Sequence, residues 1–421
     1  MHATGTTAAH KKSPAYSLSP LRLLGRLLIS ATVLLAAPSA WSQFTAPSGT
    51  NESTVPLLKE LTVITGATVT NDSNLFRRPG ALAQSETITS GYLGLRLDKA
   101  LAQQQFQLDI TKTVTRYDKF DYLNFDALSY SGTWNWRLGT RLSGKLSASR
   151  TESLAPFEDT LGIGRNVRIS ENQALDADVW ATGGWHLLLG ISQADQKSEQ
   201  NLPSRTPDFR ASNSSIGVKY LTRAGNSITA RRQATDGEYT NAPAATLNTD
   251  YTEDLSELSA EWKLSGASAL NARLGWLERD NKDPTRRDFS GPSSSLNYSW
   301  NPGGKLSMAV SAGRKTSPLQ DLTASYREDS TLSVTPTWRI SEKTSAFLRM
   351  NYQKSQDRGI LVALPTGPRR DTTNTITAGM NWAATRKLAI NASVERQQRT
   401  STLATAGYDA TIARIGASLA F

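Results

Sequence analysis

The sequence predicts an all-β fold: a transmembrane, antiparallel, up-and-down β-barrel of about 18 strands. Three observations carry this. Apolar and polar residues alternate in run after run from Leu61 onward. Short turns and long polar loops take turns in joining the runs, and large aromatic residues recur at a nearly constant interval. A two-residue period sends successive side chains to opposite faces of a strand, so each run has one apolar and one polar face. An apolar face on every strand needs a continuous apolar surround. Lipid supplies one, and closure into a ring satisfies the backbone groups that lipid cannot.

The start of the chain stands apart from this pattern. Lys11, Lys12, Arg22 and Arg26 precede the apolar run from Leu27 to Ala37, and Pro38-Ser-Ala-Trp-Ser42 follows it. A basic region, a short apolar core and a small-residue exit make a secretory signal peptide. The core of about eleven residues falls short of the roughly 20 that a transmembrane helix needs. Cleavage after Ala40 would put Pro38 at the minus-three position, so cleavage after Ser42 is preferred. The predicted organisation is therefore a signal peptide at 1–42, a short periplasmic N-terminal segment at 43–59 and an outer-membrane barrel at 60–421.

The remainder contains no cysteine, so disulfides do not hold it together, and a large hydrogen-bonded or apolar framework must do so. An apolar content of 38% argues against a helical membrane protein but suits a barrel, in which the two faces average out. The net charge is +10, and removing Lys11, Lys12, Arg22 and Arg26 leaves +6. That surplus could favour anionic partners; with secretion, it does not point to nucleic acid.

Taken in order, the first strand places Leu61, Val63, Ala67 and Val69 on one face, and the next places Leu93, Leu95 and Leu97. Phe106, Leu108 and Ile110 follow, then Leu128, Tyr130, Trp134 and Trp136. The scheme recurs at Leu187–Ile191, Leu270–Trp276, Leu306–Ala312, Leu332–Ile340, Ile376–Trp382, Leu388–Val394 and Ala413–Phe421. Gly, Asn and Pro supply tight-turn dihedrals in most of the short connections, at 137–140, 182–184, 223–226, 265–267, 301–304, 341–343 and 385–387. The long connections fall at 152–165, 199–210, 238–249, 280–287 and 357–370. Short turns on one side and long loops on the other are the layout of an outer-membrane barrel.

Trp136, Trp180, Tyr220, Trp262, Trp300, Trp338, Trp382 and Phe421 each precede a short turn or end the chain, spaced by 38 to 44 residues. One up strand, one long loop, one down strand and one turn fit that interval. Nine such units give 18 strands with both ends on the periplasmic side. Trp and Tyr suit a membrane interface, so the first seven form a predicted aromatic girdle. A propeller with the same period would need four short strands per repeat, whereas each unit here holds two long ones. The final strand, ending on Phe421, resembles the closing strand of a Gram-negative outer-membrane barrel. In that class, a terminal Phe is the signal read by the barrel assembly machinery.

Chemistry is sparse. His186 is the single histidine outside the signal region, which rules out a His-rich zinc site or a Cys–His dyad. No phosphate-binding glycine loop or HExxH pattern is present. No catalysis, cofactor or metal is expected. The polar parity is more informative: Arg96, Lys145, Arg231, Arg273, Arg339, Arg349 and Arg414 are expected to face the lumen, with Asp109, Glu261 and Glu395 as a smaller acidic set. Charges lining a pore set which ions enter, and a basic excess favours anions. The same residues could instead pair across strands and fill the lumen. The inward face shows no obvious aromatic platform on which sugar rings could stack.

The first long loop carries the one distinctive motif, Asp72-Ser73-Asn74-Leu75-Phe76-Arg77. Asp72 and Asn74 can bond their own backbone to shape a sharp turn, folding Leu75 and Phe76 back against the barrel rim. As a calcium site the pair would supply only two ligands. With the hairpin array and the terminal Phe, this segment resembles the EpsL-type outer-membrane β-barrels of exosortase-associated exopolysaccharide loci. The resemblance implies a porin-like barrel that takes part in exopolysaccharide export or biosynthesis. The implied partners are outer-membrane lipid, the assembly machinery, and exopolysaccharide or its export machinery. Two alternatives stand beside it: a passive porin for small anionic solutes, and a closed barrel acting as a structural partner of the secretion machinery.

Overall fold

The computed structural model describes residues 60–158, 162–199, 208–240, 250–282, 288–319, 323–362 and 367–421. The predicted signal peptide and the 43–59 segment lie outside them.

Eighteen strands follow one another, each antiparallel to its neighbours. The first six are β1 (Leu61–Asp72), β2 (Glu86–Leu101), β3 (Gln104–Tyr117), β4 (Phe125–Leu138), β5 (Leu142–Leu154) and β6 (Val167–Thr182). The next six are β7 (Trp185–Ser198), β8 (Phe209–Leu221), β9 (Ser227–Tyr239), β10 (Asp250–Ser265), β11 (Ser268–Asn281) and β12 (Phe289–Trp300). The last six are β13 (Leu306–Pro318), β14 (Ala324–Arg339), β15 (Thr344–Ile360), β16 (Arg370–Ala383), β17 (Leu388–Ser401) and β18 (Tyr408–Ala420). Each pairs with the strand before and after it, and β1 pairs with β18, so the sheet closes into a ring without edges. At the seam Ile64 faces Ala420 and Asp72 faces Ile412, and Val63 and Phe421 exchange both backbone hydrogen bonds. No described helix is long and apolar enough to cross a membrane.

The turns explain the alternation of connections. Gly139, Gly183, Gly225 and Gly303 have positive φ in four of the short connections, where a side chain would be strained. Ala102 takes the same role in the two-residue link between β2 and β3.

Register fixes which face each residue occupies. Leu97, Leu108 and Gly132 share one cross-strand row, as do Leu332, Tyr352 and Ala312. Leu93, Ile216, Leu274, Leu332, Ile376 and Ile415 are exposed on this face, which forms an apolar belt around the outside. On β15 the belt runs from Ala346 to Tyr352, about 20 Å along the strand. The strands hold 12 to 17 residues, more than the roughly 9–11 that span a bilayer, so they extend beyond the belt. Outward charges such as Arg116, Asp126, Arg232 and Asp254 put that extension on the long-loop side.

The predicted girdle is displaced at one position. Tyr220, Trp262, Trp338 and Trp382 are exposed beside the short turns, and Trp136 and Trp300 lie on the same outward parity. Trp180 does not: it pairs with His186 on the parity of Asp176 and Asp178, which face inward. A register shift between Trp180 and Thr182 accompanies this, and the indole donates to the Gly183 carbonyl at 2.7 Å beneath the Arg141 guanidinium. Trp185, half exposed and packed on Tyr220 at 4.9 Å between ring centroids, occupies the outward place in that hairpin.

Candidate functional site: the barrel interior

The polar parity of all 18 strands points into the ring, and the half near the short turns holds a cavity of about 830 Å³. Lys145, Arg231 and Arg273 line it, as do Asp176, Asp178, Lys219, Glu257 and Glu261. Arg96 lies on the same inward parity and pairs with Asp109 across β2 and β3 at 2.9 Å. Arg414 faces Glu395 at 3.6 Å. Arg339 and Arg349 also lie on the inward parity, Arg349 with its guanidinium 5.7 Å from the Phe347 ring.

Three inward carboxylates absent from the expected acidic set change the balance. Asp176 and Asp178 on β6 and Glu257 on β10 all reach the cavity. Asp178 accepts from His186 Nδ1 at 2.5 Å and from Lys219 Nζ. His186 is thus tied into the wall by a carboxylate that also neutralises a lysine. The alternation Leu175-Asp-Ala-Asp-Val179 carries the signal that would have revealed the two aspartates. The lumen is a mixed-charge surface in which acids offset the basic residues, a pattern that favours weak ion selectivity.

The half near the long loops is different, because the first loop folds into it. Asp72 accepts the Asn74 amide at 2.9 Å, closing an Asx turn. Asn74 is fully buried; its side chain accepts from the Arg78 amide and donates to the carbonyls of Arg78 and, at 2.8 Å, Asp409 on β18. Ser73 extends the seam: its amide donates to the Thr411 carbonyl, and its hydroxyl accepts the Thr411 amide at 2.8 Å. Leu75 and Phe76 then enter a core with Ile88, Tyr117, Leu123 and Phe125, and Phe76 meets Phe120 and Phe157 edge-on at 4.8 Å. Leu75 and Phe76 therefore pack inside the ring, whereas the sequence alone places them against its rim.

Arg77 closes this arrangement. Its backbone is left-handed (φ 53°), and its guanidinium pairs with Asp72 at 2.9 Å, donates to Gln397 on β17 at 3.1 Å and approaches Glu158 and the Tyr408 ring. Burial works against its charge, but Asp72 first and then Glu158 outweigh that, so Arg77 stays ionised above the usual arginine range. The Asp72 carboxylate and the Asn74 side chain are both used within the protein, which removes them as calcium ligands. Among the described residues, no group of three or more His, Asp or Glu could hold a metal.

Farther round the same half, inward aromatics do occur, but they are enclosed. Arg279, 2% exposed, lies 3.5 Å from the Tyr251 ring centroid and donates to the Tyr239 hydroxyl and to Glu253, both at 2.5 Å. Its desolvated charge is balanced by Glu253 and by the ring faces of Tyr239, Tyr251 and Phe289. These rings are packed around a cation and present no open stacking surface to a sugar.

Over residues 236–421 the sequence matches a family described as "Putative beta-barrel porin 2". No curated protein matches it. Among solved structures, it is similar to Pseudomonas aeruginosa OpdK, crystallised with vanillate, at 9% identity and a TM-score of 0.48 over 86% of this chain and 99% of that one. OccK2 (OpdF) of the same organism, in complex with glucuronate, gives 11% and 0.48, covering 86% and 98%. OpdO, also from Pseudomonas aeruginosa, gives 13% and 0.48, covering 86% and 96%. The closed ring of 18 strands is established by the strand pairing itself, independently of these structures. The chain is a closed, 18-stranded antiparallel β-barrel, with a match to that porin family over its C-terminal part.

Proposed function

We propose that the protein is an outer-membrane conduit for small hydrophilic solutes, narrowed on the long-loop side by its first loop. One observation carries this reading. A ring that is apolar outside holds a cavity of about 830 Å³ whose lining alternates acid and base. Such a wall lets polar solutes exchange their hydration for fixed charges without strong preference for either sign. In this reading the short turns face the periplasm, a cleaved signal peptide delivers the chain, and the assembly machinery inserts it by way of the strand ending at Phe421. Conductance across planar bilayers tests it: stable steps with a reversal potential near zero in a salt gradient are expected, and absence of conductance would instead support a closed, structural barrel.

A second reading, participation in exopolysaccharide export, is favoured by the segment from Asp72 to Arg77. The segment resembles the EpsL-type pattern and occupies the lumen where a polymer would pass. Loss of matrix polysaccharide in a deletion strain, restored by the wild-type chain but not by one lacking the loop, is the expected result. A normal matrix would leave the solute conduit standing alone.

A further inference from the structure

The outside of the barrel above the apolar belt is not uniform in charge. On β13 to β17, the outward positions on the long-loop side carry Arg314, Lys354, Arg358, Arg370 and Arg396, and one carboxylate, Glu328. On β9 to β11, the corresponding positions carry Asp236, Glu238, Asp250, Asp254, Glu278 and Asp280 with one base, Arg232, which pairs with Asp254 at 3.1 Å. Glu328 is shared by Arg314 at 3.3 Å and Arg358 at 3.1 Å, and Arg396 meets Asp409 on β18 at 3.2 Å. Lys354 and Arg370 are exposed and make no side-chain ion pair among the described residues. The basic arc therefore keeps uncompensated charge on its outer face.

Register places this charge at a defined height. Ala312, Leu332 and Tyr352 form one row of the belt, and the next row toward the long loops is Arg314, Ser330 and Lys354. Glu328, Gln356 and Arg370 follow one step higher. Arg314 and Lys354 stand two strands apart, about 10 Å at the usual strand spacing. Cations spaced in this way directly above an acyl-facing surface meet the level at which lipid headgroups carry their phosphates. Guanidinium groups suit phosphate in geometry as well as charge.

We propose that the outer face of β13 to β17 binds a phosphate-bearing lipid of the leaflet on the long-loop side, its acyl chains on the Leu332–Tyr352 row and its phosphates on Arg314, Lys354, Arg358 and Arg370. This rests on the outer-membrane reading above. Salt weakens the contact, because exposed cations hold the phosphates. The neighbouring arc on β9 to β11, rich in carboxylates, repels the same headgroup and gives the barrel a preferred side for it.

The test uses the full purified barrel in neutral detergent, titrated with bisphosphorylated lipid A, with the same lipid after removal of its phosphates, and with inorganic phosphate. The phosphorylated lipid is expected to bind at least tenfold more tightly than the dephosphorylated one, less so in high salt. A chain carrying Arg314→Gln, Lys354→Gln, Arg358→Gln and Arg370→Gln should lose that difference, while Arg232→Gln should keep it. If the multiple variant does not fold, a salt titration of the unaltered protein decides instead: the preference should fall as salt rises, and a preference that salt leaves intact would count against the site. Equal affinity for the two lipids, a preference surviving the four substitutions, or equally tight inorganic phosphate would overturn the proposal. Insertion into neutral phosphatidylcholine vesicles separates the two levels: a barrel that inserts but shows no phosphate preference refutes the lipid site alone, and one that enters no vesicle refutes both.

Discussion

The two halves of the barrel share one wall and one alternation, yet their interiors differ. Near the short turns, Lys145, Asp176, Arg231 and Glu257 line open space. Near the long loops, Ile88, Phe125, Ala211, Tyr251 and Ile412 on the same inward parity are buried. Strand period does not cause the difference. In one half, the loop from Ser73 to Ser85, the segment around Phe157 and inward aromatics cover the wall; in the other, the connections are too short to fold inward. Inner-wall residues in a barrel of this width acquire a core where a loop supplies the second layer, and stay hydrated where none does.

The contrast can be broken at its filled end first. Arg77→Ala leaves the buried Asp72 without its cation, and the expected loss of stability is about 3–5 kcal/mol, read from thermal unfolding in detergent. Conductance should rise with it as the loop loosens. Phe76→Ala removes the ring packed between Phe120 and Phe157; a loss of about 3–4 kcal/mol is expected, and an unchanged melting temperature would show that the loop is not a packed plug. Gly144→Ala comes next. A Cβ there would lie 2.2 Å from the Asp176 carbonyl oxygen and 2.3 Å from the Trp136 ring, for an expected cost of about 1–3 kcal/mol.

At the open end the effects should be smaller in stability and visible in selectivity. Asp178→Asn removes a lumen charge and unbalances Lys219 and His186, so the reversal potential should move toward anions. A shift toward cations would contradict the assigned lining. Smallest of all is Arg96→Gln. Its pair with Asp109 is 47% and 37% exposed, and such pairs contribute about 0–1 kcal/mol; a large destabilisation there would erase the distinction between the halves.

What is legible in the sequence follows the same division. The strands, their number and the inward parity of residues such as Arg273 follow from a period of two, because lipid outside and water inside act on every strand alike. The turn chemistry around Gly139, Gly183, Gly225 and Gly303 is equally local. Trp180 departs from its expected face because it keeps the parity of Asp176 and Asp178 up to the irregularity that follows it; the spacing of the aromatic residues, not the alternation of β6, places it outward in the sequence. The interior position of Phe76 is hidden from the sequence because it depends on partners such as Phe157, distant along the chain. Asp176 and Asp178 escape the expected acidic set although their strand alternates plainly, so the acidic half of the lumen is readable.

The central claim is that the Leu, Met and Trp face of the strands touches lipid while the alternate face touches water. The absence of cysteine allows single cysteines to be placed along β15 from Ser345 to Lys354, labelled with nitroxide and probed in bilayers with oxygen and a water-soluble nickel chelate. Oxygen accessibility should peak at 346, 348, 350 and 352, nickel accessibility at 345, 349 and 351, and the alternation should end at Lys354. Uniform nickel accessibility on both faces would mean that the belt faces water and would contradict the account.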